Sequence, residues 1–272
     1  MLIDGQQIDQ LPADDRGLAY GDGLFETIRI SNRQPQLWSQ HMHRLQAGCT
    51  NIGLECPTEV LLKSEIDQLI ASKDNGVIKI IVTRGSGGRG YRPDDCATPR
   101  RIISFHDLPV YSDHNYDKGI RLYHCNTPVT VNARLAGLKT LCRLEQVLAQ
   151  SEWNPDEYAE GLMLDDQRRV IEGTRSNIFI VLENTLLTPS LESAGIKGVM
   201  RDLIIELAQL NDIKVIQRQI ELTEMIEADE IFVCNSIIGI WPVSEFQGLE
   251  YSNRKITTKL KTLIEQYINQ HD

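Results

Sequence analysis

The chain has 272 residues, 41% of them hydrophobic, and 38 acidic against 28 basic side chains give a formal charge of -10. That length can bury one large core or two modest ones, and two domains are the expectation, while the negative charge argues against nucleic acid or an anionic membrane surface as a general partner. No apolar run approaches the roughly 20 residues that span a bilayer, and MLIDGQQIDQ lacks the charged and apolar regions of a signal peptide, so a cytoplasmic protein without membrane association is expected.

In chain order, LFETIRI (Leu24 to Ile30) alternates with the period of a strand, and SQHMHRLQAGCTNIG sets Met42, Leu45 and Cys49 at helical spacing before closing at Gly53. His41 and His43 have no metal partner nearby and read as helix-surface or supporting residues. A second helix is expected over about 58–72. The apolar run VIKIIVT then flows into Gly85, Gly87 and Gly90, the spacing of a dinucleotide-binding loop. Such a loop works only where a helix opens straight after the glycines, and here Tyr91, Arg92, Pro93, Asp94 and Asp95 follow, before a second apolar run from Arg101 to Leu108. A Walker loop fails as well, because Tyr91 and Arg92 stand where Lys and Ser/Thr would be needed. Strand, Gly-rich connection and strand make a hairpin, whose loop is either mobile or offers Arg84, Arg89, Tyr91 and Arg92 to a substrate anion.

The polar stretch from Asp107 to Gly119 carries Pro109 and breaks periodicity, which predicts a linker over 109–118 between a small domain, 1–108, and a larger one, 119–272. Short strands are expected at IRLYHCN, EGLMLD, RVIEG, NIFIVLEN and EIFVCNS, interleaved with helices at about 141–151, 199–209 and 257–269. The fold class is therefore α+β, with a sheet-rich second domain. The six cysteines (Cys49, Cys56, Cys96, Cys125, Cys142, Cys234) form no metal or disulfide pattern and read as reduced and packed.

Four stretches carry chemistry. Lys139 lies between Leu138 and Leu141, with Thr140 placed to cap the helix that follows. Apolar surroundings disfavour an ammonium, and a neutral amine is what Schiff-base chemistry with a carbonyl needs; a surface lysine with a snorkelling stem is the alternative. Glu172 sits at a Gly-containing turn between two strands, either facing inward to a cationic or N–H partner or simply solvated. Gly198 opens a helix, and another strand ends in Cys234, Asn235 and Ser236; both are places where backbone N–H groups and a hydroxyl could bind a phosphate.

A lysine of this kind, an acid and phosphate-binding turns are the parts that a pyridoxal phosphate enzyme requires. The sequence resembles the fold-type IV pyridoxal phosphate enzymes, the group of branched-chain aminotransferase, D-amino acid aminotransferase and aminodeoxychorismate lyase. The resemblance covers nearly the whole chain through RGLAYGDGLFETIRI, HMHRL, LKTLCRLEQVLA, IEGTRSNIFIV, GVMRD and FVCNSIIGIWPV, in the family's order. Within the group RGSGGRGY and LKTLCRLEQVLA look nearest to the lyases, although Cys142 stands where those commonly have Asn.

The resemblance implies a small N-terminal α+β domain and a larger pseudo-barrel domain, with pyridoxal 5'-phosphate at their interface, in a homodimer. It implies Lys139 as Schiff-base lysine and base, and Glu172 on the pyridine nitrogen. It implies Arg44 on the phosphate, with the backbone of Val199, Met200 and Ile237 and the hydroxyl of Ser236. Thr27 would assist proton transfer, and Arg89 and Tyr91, with Arg84 and Arg92 behind them, would receive substrate carboxylates. The reaction so implied is release of pyruvate from 4-amino-4-deoxychorismate to leave 4-aminobenzoate, downstream of aminodeoxychorismate synthase in folate biosynthesis. The alternatives are a D-amino acid or branched-chain aminotransferase, or a non-catalytic anion-binding module.

Overall fold

The computed structural model describes residues 1–88, 90–93 and 98–271, so Arg89 and Cys96 lie outside the described residues. Two compact units emerge: Met1–Pro109 with Leu138–Cys142, and Val110–Gly137 with Arg143–His271.

The first unit contains β1 (Leu2–Ile3), α1 (Arg16–Tyr20), β2 (Gly23–Ser31), β3 (Gln34–Pro35), α2 (Trp38–Asn51), α3 (Glu59–Ile70), β4 (Gly76–Thr83) and β5 (Arg100–His106). Its sheet runs β1-β5-β4-β2-β3. Because side chains alternate across a strand, Leu24, Ile28 and Ile30 of β2 share one face. They form a core with Met42 and Leu45 of α2, Leu62 and Ile66 of α3, and Ile78 and Ile80 of β4. Each such buried aliphatic side chain contributes about 1.5–3 kcal/mol. Thr58 starts α3 by accepting the Leu61 N–H at 3.3 Å. The expected hairpin is present: β4 pairs antiparallel with β5 from Val77↔His106 to Thr83↔Arg100. Among the described residues no helix opens after its glycines, and the positive φ of Gly85 (+80°) turns the chain where an added Cβ would overlap the Thr98 carbonyl.

The expectation that Thr140 caps a helix starting at about 141 is corrected by the structure. Thr140 is not the N-cap of the helix, a place that falls to Arg143: it bridges to Leu24 of β2, while Phe25 N donates to the Lys139 carbonyl at 3.0 Å and Leu141 N to the Gly23 carbonyl at 3.1 Å. The backbone of 139–141 completes the edge of β2 and is extended, so the helix begins only at Leu144.

The second unit contains α4 (His114–Asp117), β6 (Ile120–His124), α5 (Leu144–Gln150), β7 (Glu160–Leu164), β8 (Val170–Gly173), β9 (Asn177–Leu182) and β10 (Thr185–Pro189). It continues with α6 (Val199–Leu210), β11 (Val215–Arg218), α7 (Leu222–Ile226), β12 (Glu230–Asn235), β13 (Gly239–Phe246), β14 (Leu249–Glu250) and α8 (Lys255–His271). Its sheet runs β11-β10-β9-β12-β13-β6-β7-β8, with β14 on β13. Edge strand β8 leads into β9, a strand well inside that order, through Thr174, Arg175 and Ser176 alone. In a flat sheet the two would stand about 24 Å apart, at about 4.8 Å per strand, whereas so short a connection spans about half that. The sheet must therefore curl, and its enclosed side is filled by Leu122, Leu162, Ile178, Ile180, Val233 and Trp241.

Glu230, at the start of β12, is buried and accepts the N–H of Ile256 and Thr257 (both 2.9 Å) and the Thr257 hydroxyl (2.8 Å), so a distant carboxylate caps α8. Glu230→Ala strands three buried donors and is expected to cost about 3 kcal/mol, read as a lower urea midpoint; a loss under about 1 kcal/mol would deny the carboxylate this role. Among the described residues no helix is long and apolar enough to cross a membrane.

Candidate active site

In the first unit, the edge pairing of 139–141 sets the Lys139 ammonium 4.3 Å from the centre of the Phe25 ring, a cation–π distance. Lys79 approaches the same ring at 5.4 Å. Thr27, two residues beyond Phe25, projects from that same face of β2 and stands opposite Lys79. The fold thus gathers Lys139, Phe25 and Thr27 on one side of a strand.

The other face of β2 bears Glu26, which sits in the aliphatic row between Leu24 and Ile28. Its carboxylate takes Nε and Nη2 of Arg44 at 2.8 and 2.6 Å and Nδ1 of His41 at 2.6 Å. His41 is fully buried, which leaves the supporting role of the two expected for it; His43 is the exposed member of that pair. Burial pushes the Glu26 carboxyl up, but the charge and hydrogen bonds of Arg44, joined by His41, hold it at about 2. Burial also pushes the His41 imidazole below its ordinary range, against the pull of Glu26, so a neutral ring donates Nδ1–H to a carboxylate.

Because the folded carboxyl lies below its unfolded value of 4.5, the folded state binds fewer protons than the unfolded chain between those limits. The stabilisation, on the order of 3 kcal/mol, is complete above about pH 4.5 and fades as pH falls toward 2. Unfolding by urea at pH 6 and pH 3.5 measures it: Glu26→Gln should flatten part of the loss seen in the parent, and an unchanged slope would remove Glu26 from the acid sensitivity.

The Gly-rich hairpin loop is tied to α1. Arg16, almost fully buried, donates Nε to Asp22 at 2.9 Å, Nη1 to the Gly90 carbonyl at 2.9 Å and Nη2 to the Tyr91 carbonyl at 3.0 Å. Tyr20 meets the Tyr91 ring edge-on at 5.7 Å between centres. Arg84 uses Nε on Asp22 (2.9 Å) and its two amino groups on the carbonyls of Gly53 and Ile52. Asp22, whose carboxyl burial would raise, is held low by these two arginines. The loop so held presents Tyr91, 88% exposed, and the exposed Arg92.

In the second unit, Glu172 lies in β8 with only 3% of its surface exposed, which removes the solvated-turn alternative. It accepts the Ile196 N–H at 2.8 Å, and Gly195 (φ +81°) brings that backbone close. The turn after it is fixed by a second buried acid, Glu160, which accepts from Thr174 N (3.0 Å), the Thr174 hydroxyl and the Ser176 hydroxyl (2.8 Å). Asn177, at the start of β9, is opposite Cys234 of β12 and donates Nδ2–H to the Ile196 carbonyl at 2.8 Å. An added Cβ at Gly198 would overlap its Oδ1.

Gly198 begins α6 without a side-chain cap, and Asn235 Oδ1 accepts the N–H groups of Ile237 (2.8 Å) and Ile238 (2.9 Å), shaping the turn that carries Ser236. Asn177 therefore ties the strand end that bears this turn to the loop that opens the helix. The N-terminus of α6, at Val199 and Met200, and the Ser236 hydroxyl offer donors of the kind an anion takes, whereas the Ile237 N–H expected beside them already donates to Asn235.

Residues 23–246 match the model of the amino-transferase class IV family. The chain belongs to this family. Among class IV relatives, an aminodeoxychorismate lyase from Vibrio harveyi is 33% identical over 264 residues, 95% of this chain and 97% of the relative. A D-alanine aminotransferase from Listeria innocua is 26% identical over 254 residues, 89% and 84% of the two chains. The crystal structure of 4-amino-4-deoxychorismate lyase from Pseudomonas aeruginosa is 42% identical, covers 97% of this chain and 98% of that one, and superposes with a TM-score of 0.94. The expected fold-type IV architecture is thus the fold of this class IV member.

Glu26, Arg16, Asp22 and Glu160 were not singled out by sequence reasoning. Glu26 carried a signal: an acid on the apolar face of a strand of period two. Arg16, Asp22 and Glu160 carried none: the hairpin-loop partners of Arg16 and the partners of Glu160 beyond Glu172 lie far along the chain, and no periodicity marks the Arg16–Asp22 pair, six residues apart.

Proposed function

We propose that this chain is a pyridoxal 5'-phosphate-dependent aminodeoxychorismate lyase that converts 4-amino-4-deoxychorismate to 4-aminobenzoate and pyruvate. The observation that carries this reading is the 42% identity across 97% of the chain with the Pseudomonas aeruginosa lyase. The donor set fits the cofactor. A buried carboxylate, Glu172, suits a protonated ring nitrogen; the α6 terminus with Val199 and Met200, the Ser236 hydroxyl and the Arg44 guanidinium suit a phosphate; the Lys139 amine suits an aldehyde.

When bound, the cofactor supplies an electron-accepting ring beside the amine-bearing carbon of the substrate. Lys139 Nζ then takes the C4 proton, and the bond from C3 to the enolpyruvyl oxygen breaks with its electron pair on oxygen. The leaving group departs as the enol of pyruvate, which becomes pyruvate when its methylene carbon gains a proton and its oxygen becomes the ketone, and the ring becomes aromatic, which drives the step forward. Thr27, on the Lys139 side of β2, assists the proton's passage. Tyr91, Arg92 and Arg89 receive the substrate carboxylates, and Arg84 serves them by holding the loop through Asp22, Ile52 and Gly53. The enzyme in this reading is a cytoplasmic homodimer acting on a small molecule delivered by aminodeoxychorismate synthase.

The test supplies chorismate, glutamine and a separate synthase with and without the purified protein. Equimolar 4-aminobenzoate and pyruvate are expected only with it. The relation to the D-alanine aminotransferase from Listeria innocua favours a second reading, transamination of a D-amino acid or a branched-chain amino acid. A yellow protein that forms neither product, yet converts to the pyridoxamine spectrum with D-alanine or leucine, would install that reading.

A further inference from the structure

Glu26 occupies an inward position of β2 where the pattern asks for an aliphatic residue. A carboxylate there carries a desolvation cost of several kcal/mol that its ion pair must offset, and a hydrophobic replacement of similar volume would serve the core as well or better. The fold nonetheless keeps it, and α2 presents His41 and Arg44, three residues apart on one helix face, to the same two oxygens. Arg44 is gripped along its Nε–Nη2 edge, one nitrogen to each oxygen. The planar guanidinium has no remaining rotation that keeps both contacts, so the Nη1 amino group is pointed away from Glu26 in a fixed direction. The Arg44 side chain is 16% exposed against 1% for Glu26, so the held edge is the buried one.

We infer that Glu26 is a positioning residue: it acts through Arg44 to set the protein's selectivity for a phosphorylated cofactor. The inference rests on the reading above, in which Arg44 holds the cofactor phosphate. His41 contributes a neutral N–H to the carboxylate and no second positive charge, so Arg44 remains the cationic partner of Glu26. A lysine at position 44 could satisfy one oxygen but not fix a plane.

The measurement is the dissociation constant of pyridoxal 5'-phosphate and of pyridoxal, which lacks the phosphate, for the parent, Glu26→Gln, Glu26→Asp, Arg44→Ala and the Glu26→Gln/Arg44→Ala pair. The selectivity of the parent for the phosphorylated form should fall roughly 10- to 100-fold in Glu26→Gln, the range typical of residues that orient a primary ligand-binding side chain. Affinity for pyridoxal should change little. In the Arg44→Ala background Glu26→Gln should add nothing, which marks an effect passing through Arg44.

Glu26→Asp keeps the charge but draws the carboxylate back by one methylene, so it serves if the glutamine variant does not fold; it too should lose selectivity. Retention of full selectivity in the soluble Glu26 variants, with only a lower melting point, would overturn the inference while Arg44→Ala still loses it. If Arg44→Ala also keeps full selectivity, the phosphate role of Arg44 falls, and the positioning role with it.

Discussion

Lys139→Ala is expected to lower formation of 4-aminobenzoate at least about 10⁴-fold, with the cofactor still bindable but no longer trapped on the protein by borohydride. The size follows from the two tasks proposed for one amine: reacting with the cofactor aldehyde and carrying the proton from C4. Alanine can do neither. The fold should survive, because position 139 contributes to the sheet through its backbone: the Phe25 N–H meets the Lys139 carbonyl, a contact that any residue provides. What is lost with the side chain is its cation–π contact with Phe25, worth about 0.5–1 kcal/mol where partly exposed. A small change in melting temperature alongside an inactive protein is the expected pair of results. Turnover within about tenfold of the parent would remove Lys139 from the chemistry and hand the base role to another residue, for which Lys79, over the same ring at 5.4 Å, is placed.

The contrast between Lys139 and its neighbour Thr140 shows where sequence reading stops. Helical spacing predicts α2, α3, α6 and α8, alternation predicts β2, and continuous apolar runs predict β4 and β9, because those patterns are set by each element's own buried surface. The segment 138–142 has no such pattern. Its conformation is decided by the edge of β2, more than a hundred residues earlier in the chain, so a threonine before an apolar run reads as a cap when it is a bridge. Strand β13 was hidden for a different reason: Pro242 normally demotes a strand, yet here it stands opposite Phe232 within the sheet. Strands β10 and β11 are short, and nothing in TLLTP or VIQR distinguishes them from loop.

The candidate site divides along the same line. Lys139, Glu172 and the turns at Gly198 and Ser236 are visible because their chemistry needs particular residue types beside strand ends. Two of the residues that hold them are visible only in three dimensions: Glu160 grips the turn after Glu172 and Arg16 spans from α1 to the hairpin loop. Both use a common side chain on partners far along the chain, which leaves no local trace, whereas Asn235 folds the turn after β12 by accepting N–H groups two and three residues on. Glu26 is the intermediate case, since its acid breaks an apolar alternation that the sequence displays, although its partners on α2 do not appear in it.

Glu172→Gln is expected to leave the cofactor bound and lower kcat roughly 10²- to 10³-fold, the scale of removing one preorganised electrostatic partner. Glutamine matches the carboxylate in shape, and its amide oxygen can still accept the Ile196 N–H that Glu172 accepts at 2.8 Å, so the 193–196 backbone keeps its place. The change is therefore confined to charge. A buried carboxylate with little solvent around it interacts strongly with a cationic nitrogen, whereas a neutral amide offers only a dipole. Were the ring nitrogen of a bound cofactor left unprotonated, the ring would draw electrons from C4 less strongly, and the proton removal proposed for Lys139 would slow even though Lys139 itself is untouched. Three readings separate this account from a structural one: cofactor content should stay near that of the parent, KM should change little, and kcat should carry the loss. If kcat stays within about threefold, the ring nitrogen does not depend on Glu172. If the protein loses its cofactor as well, the carboxylate is a binding residue first, and the loss of turnover would be recovered by raising the cofactor concentration.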